Sequence, residues 1–158
     1  MNHSLKIGIS FGLTSGIITT LGLIIGLNAS TGSRLAVIAG ILTIAVADAC
    51  SDAMGIHISE ESENKHTTKE IWQSTIATFL TKFIVASSFA LPFIVFPIAS
   101  AMIVAISWGL LLLILFNYLL AKQENKKPME VIGEHLTIAI IVIAITQIVG
   151  STIKIYFK

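Results

Sequence analysis

The sequence predicts an all-α, multi-pass membrane protein with five transmembrane helices. Of its 158 residues, 54% are hydrophobic and only 12% are charged, whereas soluble domains carry about 25% charged residues. A bilayer core about 30 Å thick needs roughly 20 apolar residues per helix. Five segments meet this requirement, at about 6–28, 34–58, 70–91, 93–121 and 131–157. Irregular backbone cannot face lipid, so each should be helical, and we expect residues 1–158 to form a single transmembrane domain.

Polar or helix-breaking residues separate the five segments. A small polar turn at 28–33 follows the first segment, and a charged loop at 60–67 follows the second. Pro92 is expected to close the third span, which places Pro97 early in the fourth. A second charged loop at 122–128 precedes the fifth span.

The lysine and arginine residues near the span ends predict the orientation, because such residues accumulate on the cytoplasmic side. With a cytoplasmic N-terminus, the cytoplasmic side holds Lys6, Lys65, Lys69, Lys122, Lys126 and Lys127, and the other side holds Arg34, Lys154 and Lys158. We therefore expect the N-terminus in the cytoplasm and the C-terminus on the opposite side.

The first helix carries glycines spaced four residues apart, at Gly8, Gly12 and Gly16, followed by Gly22 and Gly26. Small residues at this spacing let a second helix approach closely. Two interpretations remain open: the glycines join two copies of the chain, or they pack helices within one chain.

Three charged residues lie inside the predicted spans, namely Asp48, Asp52 and Lys82. A charge at the bilayer centre costs at least ~2.5–3.5 kcal/mol on insertion scales, so it usually faces the bundle interior or a watery path. Counting residues from the loop between the second and third helices places Asp48 and Lys82 both roughly 16–18 Å into the membrane. Adjacent carboxylates resist double ionisation unless a cation lies between them, which couples cation binding to proton binding. The pair predicts a cation site, and the alternative is a permanent ion pair with Lys82.

Further residues of the second helix extend this candidate site. Asp48 and Asp52 share a polar stripe with Ser51, an oxygen donor, while Met54 lies on a second face with Cys50 and His57. Sulfur and imidazole suit softer transition metals, although Met and Cys are also common apolar fillers.

The acidic loop after the second helix is a candidate metal entrance. It contains Glu60, Glu61 and Glu63, and Glu134 at the start of the fifth helix lies on the same predicted side. The alternative is a solvated connector.

Other classes of function find no support in the sequence. It has no phosphate-binding loop, nucleophilic triad or zinc-ligand cluster, so we expect no enzyme and no tightly bound cofactor. No basic stripe indicates nucleic-acid binding. Asn117 and Gln147, isolated polar residues within spans, are expected to form interhelical hydrogen bonds.

Several motifs, taken in chain order, resemble those of the vacuolar iron transporter family. They are Ser-Gly-Ile-Ile-Thr-Thr-Leu at 15–21, Ala-Asp-Ala-Cys-Ser-Asp-Ala-Met-Gly at 47–55, Ala-Thr-Phe at 77–79 and Thr-Gln-Ile-Val-Gly at 146–150. The resemblance implies a homodimer with the pathway at its two-fold interface. It also implies export of iron or manganese from the cytosol in exchange for protons.

This chain departs from the family pattern at three positions. Ser15 replaces an aspartate, Asp52 replaces a methionine expected to contact metal, and Lys82 replaces an uncharged residue. The family's glutamate-rich cytoplasmic helices between the second and third spans are missing, so the chain resembles a short form. An oxygen-only shell would favour Mn(II) or Mg-like cations over softer metals.

Carried onto this sequence, the resemblance makes Asp48 and Asp52 ligand and proton carrier, and Lys82 a gating counter-charge. Ser15, Thr19 and Ser51 become auxiliary oxygen donors, and Met54 a further candidate ligand. The expected partners are the lipid bilayer, Fe(II) or Mn(II), protons and a second copy of the chain. Two alternatives remain: a non-transporting membrane scaffold that retains the fold, and an exchanger of another cation.

Overall fold

The computed structural model describes residues 3–157, which form a bundle of helices. The helices are α1 (His3–Thr31), α2 (Arg34–Ser62), α3 (Thr68–Ser88), α4 (Ala90–Val95), α5 (Ile98–Gln123) and α6 (Pro128–Tyr156). Five stretches are long and apolar enough to cross a membrane, because α3 and α4 together supply one of them, Thr68–Val95. The predicted all-α architecture with five spans is therefore confirmed. Met1, Asn2 and Lys158 lie outside the described residues, and with them the contribution of Lys158 to the predicted orientation.

Local chemistry fixes the ends of α2 and α3. Ser33 caps α2 by accepting a hydrogen bond from the backbone N–H of Ala36. Thr67 and Glu70 form a reciprocal capping box at the start of α3, which satisfies two donors that the first helical turn leaves unpaired. Gly32 has a φ of +60°, a backbone conformation suited to glycine, between α1 and α2.

The break between the third and fourth spans differs from the prediction. The third span continues through Pro92 to Val95 at the end of α4, and the fourth span, α5, starts only after Pro97. Pro92 is tolerated because it lies in the first turn of α4, where a backbone N–H has no intrahelical acceptor. Phe96 is extended, with φ −110° and ψ 157°, because a residue before proline is disfavoured in the helical region.

Helix α1 lies at the centre of the bundle and packs against α2, α3, α5 and α6. Its core-facing side chains include Ile17, Leu21 and Ile24, which are buried with Ile41 of α2 and with Phe89 at the junction of α3 and α4. Large apolar side chains remain on the outer surface, as expected for helices that face lipid.

The glycine stripe of α1 packs within the chain, which answers the question that the sequence left open. A Cβ atom at Gly8 would lie 2.4 Å from the carbonyl oxygen of Ser74, and one at Gly12 would lie 2.6 Å from that of Thr78. Gly22 faces α6 instead, where a Cβ would lie 2.9 Å from a side-chain carbon of Val142. The glycines therefore let α1 approach α3 and α6 at backbone distance.

Candidate cation site

Two helices that flank α3 bring oxygen atoms to one point inside the bundle. Asp48 and Asp52 project from α2, one turn apart, and Ser15 projects from α1. Lys82, on α3, reaches between them. The Nζ atom of Lys82 lies 2.5 Å from Oδ2 of Asp48 and also forms an ion pair with Oδ2 of Asp52.

Ser15 joins the lysine to the second carboxylate. Lys82 Nζ donates a hydrogen bond to Ser15 Oγ at 2.9 Å, and Ser15 Oγ donates to Asp52 Oδ2 at 2.7 Å. The ammonium group has three N–H donors, and three oxygen-bearing groups surround it. Two hydrogen bonds and two ionic contacts therefore offset the cost of burying this lysine, whose side chain is only 1% exposed.

The position of Lys82 follows from the fit between α1 and α3. Gly8, Gly12 and Gly16 on α1 face Ser74, Thr78 and Lys82 on α3, residue for residue at the same spacing of four. At Gly16, a Cβ would lie 3.3 Å from Cγ of Lys82. The sequence carries a signal of this fit, because the small or facing residues of both helices recur every four positions.

The site opens on the side of the carboxylates. The Asp48 side chain is 27% exposed and that of Asp52 is 19% exposed, in contrast to the buried lysine. Two carboxylates and one ammonium give the group a formal charge of −1. Among residues 3–157, no group of three or more His, Cys, Asp or Glu side chains is arranged to hold a metal ion, so one chain offers a metal two carboxylates at this point.

The other predicted oxygen donors lie apart from the lysine. Thr19 donates its hydroxyl to the carbonyl oxygen of Ser15, one turn earlier in its own helix. Ser51 lies on an exposed face of α2. Of the predicted auxiliary donors, only Ser15 joins the Asp48–Asp52–Lys82 group.

Met54 faces a different part of the surface. With Cys50, it lines an apolar groove of about 280 Å³ between α2 and α3. His57, at the same side of α2, is bonded through Nδ1 to Thr75 Oγ1 at 2.9 Å. Because the Thr75 hydroxyl donates to the carbonyl of Ile71, the imidazole is the donor in this bond. Metal binding by Met54 remains a prediction.

The predicted entrance residues divide into two groups. Glu60 is buried, and both Glu60 and Glu63 approach Nε2 of His66, at 3.8 and 3.9 Å respectively. Glu61 is exposed in the same segment. Glu134 instead lines a cavity between α5 and α6. Their role as an entrance remains a prediction.

Asn117 and Gln147 do not make the expected interhelical hydrogen bonds. Asn117 Nδ2 donates to the carbonyl of Leu113, and Gln147 Nε2 donates to Ser151 Oγ, each one turn away in the same helix. A polar side chain within a span can satisfy itself on its own helix, so its presence does not establish a contact between helices.

These features define an integral membrane protein of several spans with a charged, oxygen-rich site inside its helix bundle. Residues 9–72 match the model of the VIT family, so this part of the chain is similar to the vacuolar iron transporter family. The resemblance predicted from the sequence is thereby confirmed. The matched segment includes Ser15, Asp48 and Asp52 and ends before Lys82. No curated protein and no solved structure matches the chain significantly.

The family narrows the class of activity. It is a family of transporters and not of enzymes, and it suggests a metal-ion transporter. With the apolar helices, it supports an integral, multi-pass membrane protein with a role in transport.

Proposed function

We propose that the protein transports divalent transition-metal cations, iron or manganese, out of the cytosol in exchange for protons. The observation that carries this proposal is the convergence of Asp48, Asp52 and Ser15 on one cationic position, occupied by the Lys82 ammonium. Two of these oxygen groups belong to the segment of α2 that matches a transporter family. A charged group within a membrane span also marks an ion pathway more often than not.

The donor atoms at this position favour a hard cation. Carboxylate and hydroxyl oxygens surround Lys82 Nζ, while the sulfur atoms of Cys50 and Met54 lie on the groove between α2 and α3. Oxygen ligands suit Mn(II) better than thiolate or thioether ligands do. We therefore expect Mn(II) to be transported at least as well as Fe(II).

Proton coupling would come from competition at the same oxygen atoms. Protons and a divalent cation both neutralise the two neighbouring carboxylates, so binding of one disfavours the other. Export from the cytosol follows the family resemblance and the predicted orientation. In that orientation Glu60, Glu61, Glu63 and Glu134 would attract cations to the cytosolic mouth.

A homodimer would complete the coordination that one chain lacks. The exposed surface of α2 carries small residues at every fourth position, namely Ala39, Thr43, Ala47, Ser51, Gly55 and Ser59. A Cβ at Gly55 would meet nothing within 4 Å, so this stripe is free within the described chain. Small residues at this spacing support close helix packing in membranes. Contact between two such stripes would bring both pairs of carboxylates together and would place Ser51 near them.

Gradient-driven uptake into proteoliposomes tests the proposal. Purified protein would be reconstituted with an imposed pH gradient, and uptake of Mn(II) and Fe(II) would be measured for wild type, Asp48→Asn and Asp52→Asn. Glu130→Gln provides the matched control, because this exposed carboxylate pairs only with Lys127 among the residues described. Uptake that depends on the gradient, is abolished by either aspartate substitution and persists in the control is expected. Absence of uptake in folded wild-type protein would refute transport of these metals.

A non-transporting scaffold is the second candidate, because Lys82 of α3 contacts Ser15 of α1 and both aspartates of α2 and so connects the three helices. Metal-dependent thermal stabilisation separates the two functions. A transporter should gain stability with Mn(II), since a ligand stabilises the state that binds it, and Asp52→Asn should lose this gain. A scaffold should show no gain in either protein. Stabilisation by another cation only would indicate the third possibility, an exchanger of that cation.

A further inference from the structure

We propose that Lys82 is an internal competitor for the transported cation and sets the affinity of the site. The inference rests on the proposed function, since it concerns the same carboxylates. Its basis is that the lysine ammonium already occupies the position at which Asp48, Asp52 and Ser15 converge. The segment that matches the family ends at residue 72, before Lys82.

The Lys82 ammonium takes the place of a bound cation, and the aliphatic stem of the side chain is a tether that attaches it to α3. The ammonium donates hydrogen bonds to Ser15 Oγ and Asp52 Oδ2 and makes a further ionic contact with Asp48 Oδ2. Both ionic contacts involve the Oδ2 atoms of the aspartates. A metal that uses these carboxylates must therefore displace the ammonium or share them with it.

The tether keeps the positive charge close to the site after displacement. The stem of Lys82 is confined at Gly16, where its Cγ would lie only 3.3 Å from an added Cβ. The lysine is 1% exposed, whereas the aspartates are partly open. An incoming cation can approach from the side of the carboxylates, with the ammonium retained behind them.

The net charge of the Asp48–Asp52–Lys82 group then determines its affinity for a divalent cation. With Lys82 in place the group carries −1, so binding of a divalent ion would bring it to +1, while without the lysine charge the same ion would bring −2 to neutrality. Repulsion between charges a few ångströms apart is strong in a membrane protein interior. A neutral residue at position 82 should therefore bind metal more tightly and release it more slowly.

Titration calorimetry with Mn(II) on the full purified chain tests this directly. Lys82→Met and Lys82→Gln remove the charge, and Gln also keeps a donor for Ser15. Lys82→Arg keeps the charge, and Lys69→Met is the control, since Lys69 is an exposed lysine of the same helix. Both neutral variants should bind Mn(II) at least about tenfold more tightly than wild type, while Lys69→Met should resemble wild type and Lys82→Arg should bind Mn(II) no more tightly than wild type.

Transport kinetics provide a readout that a structural role alone would not alter in the same way. The neutral variants should show a lower KM for Mn(II) together with a lower maximal rate, because tighter binding delays release. Unchanged or weaker Mn(II) binding in folded Lys82→Met and Lys82→Gln would overturn the inference and leave the proposed function standing. Failure of both to fold while Lys82→Arg folds would also overturn it, by making the charge structural. Absence of Mn(II) binding in every folded variant, wild type included, would refute the proposed function itself.

Discussion

Replacement of Gly12 by alanine should separate α1 from α3 and destabilise the protein. A Cβ at this position would lie 2.6 Å from the carbonyl oxygen of Thr78 and 3.2 Å from its Cα. The nearest atom is backbone, so the helices themselves must move. Overpacking of this kind costs about 1–3 kcal/mol, while replacing a helical glycine by alanine returns about 0.5–1 kcal/mol. The difference between these ranges is a net loss of about 0–2.5 kcal/mol, and the clash with backbone atoms favours the upper part of that range.

Gly133→Ala is the matched control for this prediction. Gly133 also lies in a helix, but a Cβ there would meet nothing within 4 Å, so only the gain in helix propensity should remain. Unfolding by SDS in mixed micelles, followed through the fluorescence of Trp72 and Trp108, would compare the two variants with wild type. Gly12→Ala should unfold at a lower SDS fraction, and Gly133→Ala at the same or a higher one. Equal midpoints for the two variants would refute the packing of α1 on α3.

Three further predictions concern contacts outside the cation site. Arg34→Lys should lower stability by about 1 kcal/mol in the same assay, because lysine lacks the guanidinium fork that bonds two carbonyls at the end of α4; unchanged stability would contradict this. Asn117→Leu should leave stability unchanged or raise it by about 1 kcal/mol, since the buried Oδ1 of Asn117 has no hydrogen-bond partner among the described residues; a large loss would reveal a partner. Hydrogen bonds from Lys126, and to a lesser extent from Lys6, hold the pKa of the Glu124 carboxyl below its usual value. The ionised carboxylate therefore stabilises the folded protein at a pH above the usual pKa, and this stabilisation is lost as the pH falls through the lowered pKa. Glu124→Gln should remove this acid-side loss, which is below about 1 kcal/mol, and identical pH profiles of wild type and variant would disprove it.

Periodicity and loop chemistry were sufficient to predict the spans. Apolar length gave five helices, and the depth of Asp48 and Lys82 below a shared loop predicted that they could meet, as they do in the structure. Depth is informative here because membrane helices rise 1.5 Å per residue between two nearly parallel planes. The position of a charged residue along a span therefore limits which residues of the next span it can reach.

The rotation of each helix about its own axis, and the positions where helices are interrupted, were not predictable in the same way. The sequence indicated that the glycine stripe of α1 packs against a helix, but not which helix, because small residues serve contacts within and between chains alike. Pro92 could either end the third span or lie in the first turn of a further helix, and its missing N–H is compatible with both. The sequence therefore did not show that the break between the third and fourth spans falls at Pro97. Asn117 found an acceptor on its own helix, an option that residue type alone does not exclude.

The central claim is that Asp48, Asp52 and Lys82 form a cation site for transport and not a structural ion pair. The variant that carries Asp48→Asn, Asp52→Asn and Lys82→Met removes all three charges together, so it leaves no buried charge unpaired. Replacing a whole buried ionic group by neutral residues is often neutral for stability or stabilising. We predict that this variant is folded with a stability near that of wild type and shows no pH-gradient-driven Mn(II) uptake. Retained Mn(II) uptake by the folded variant would contradict the account.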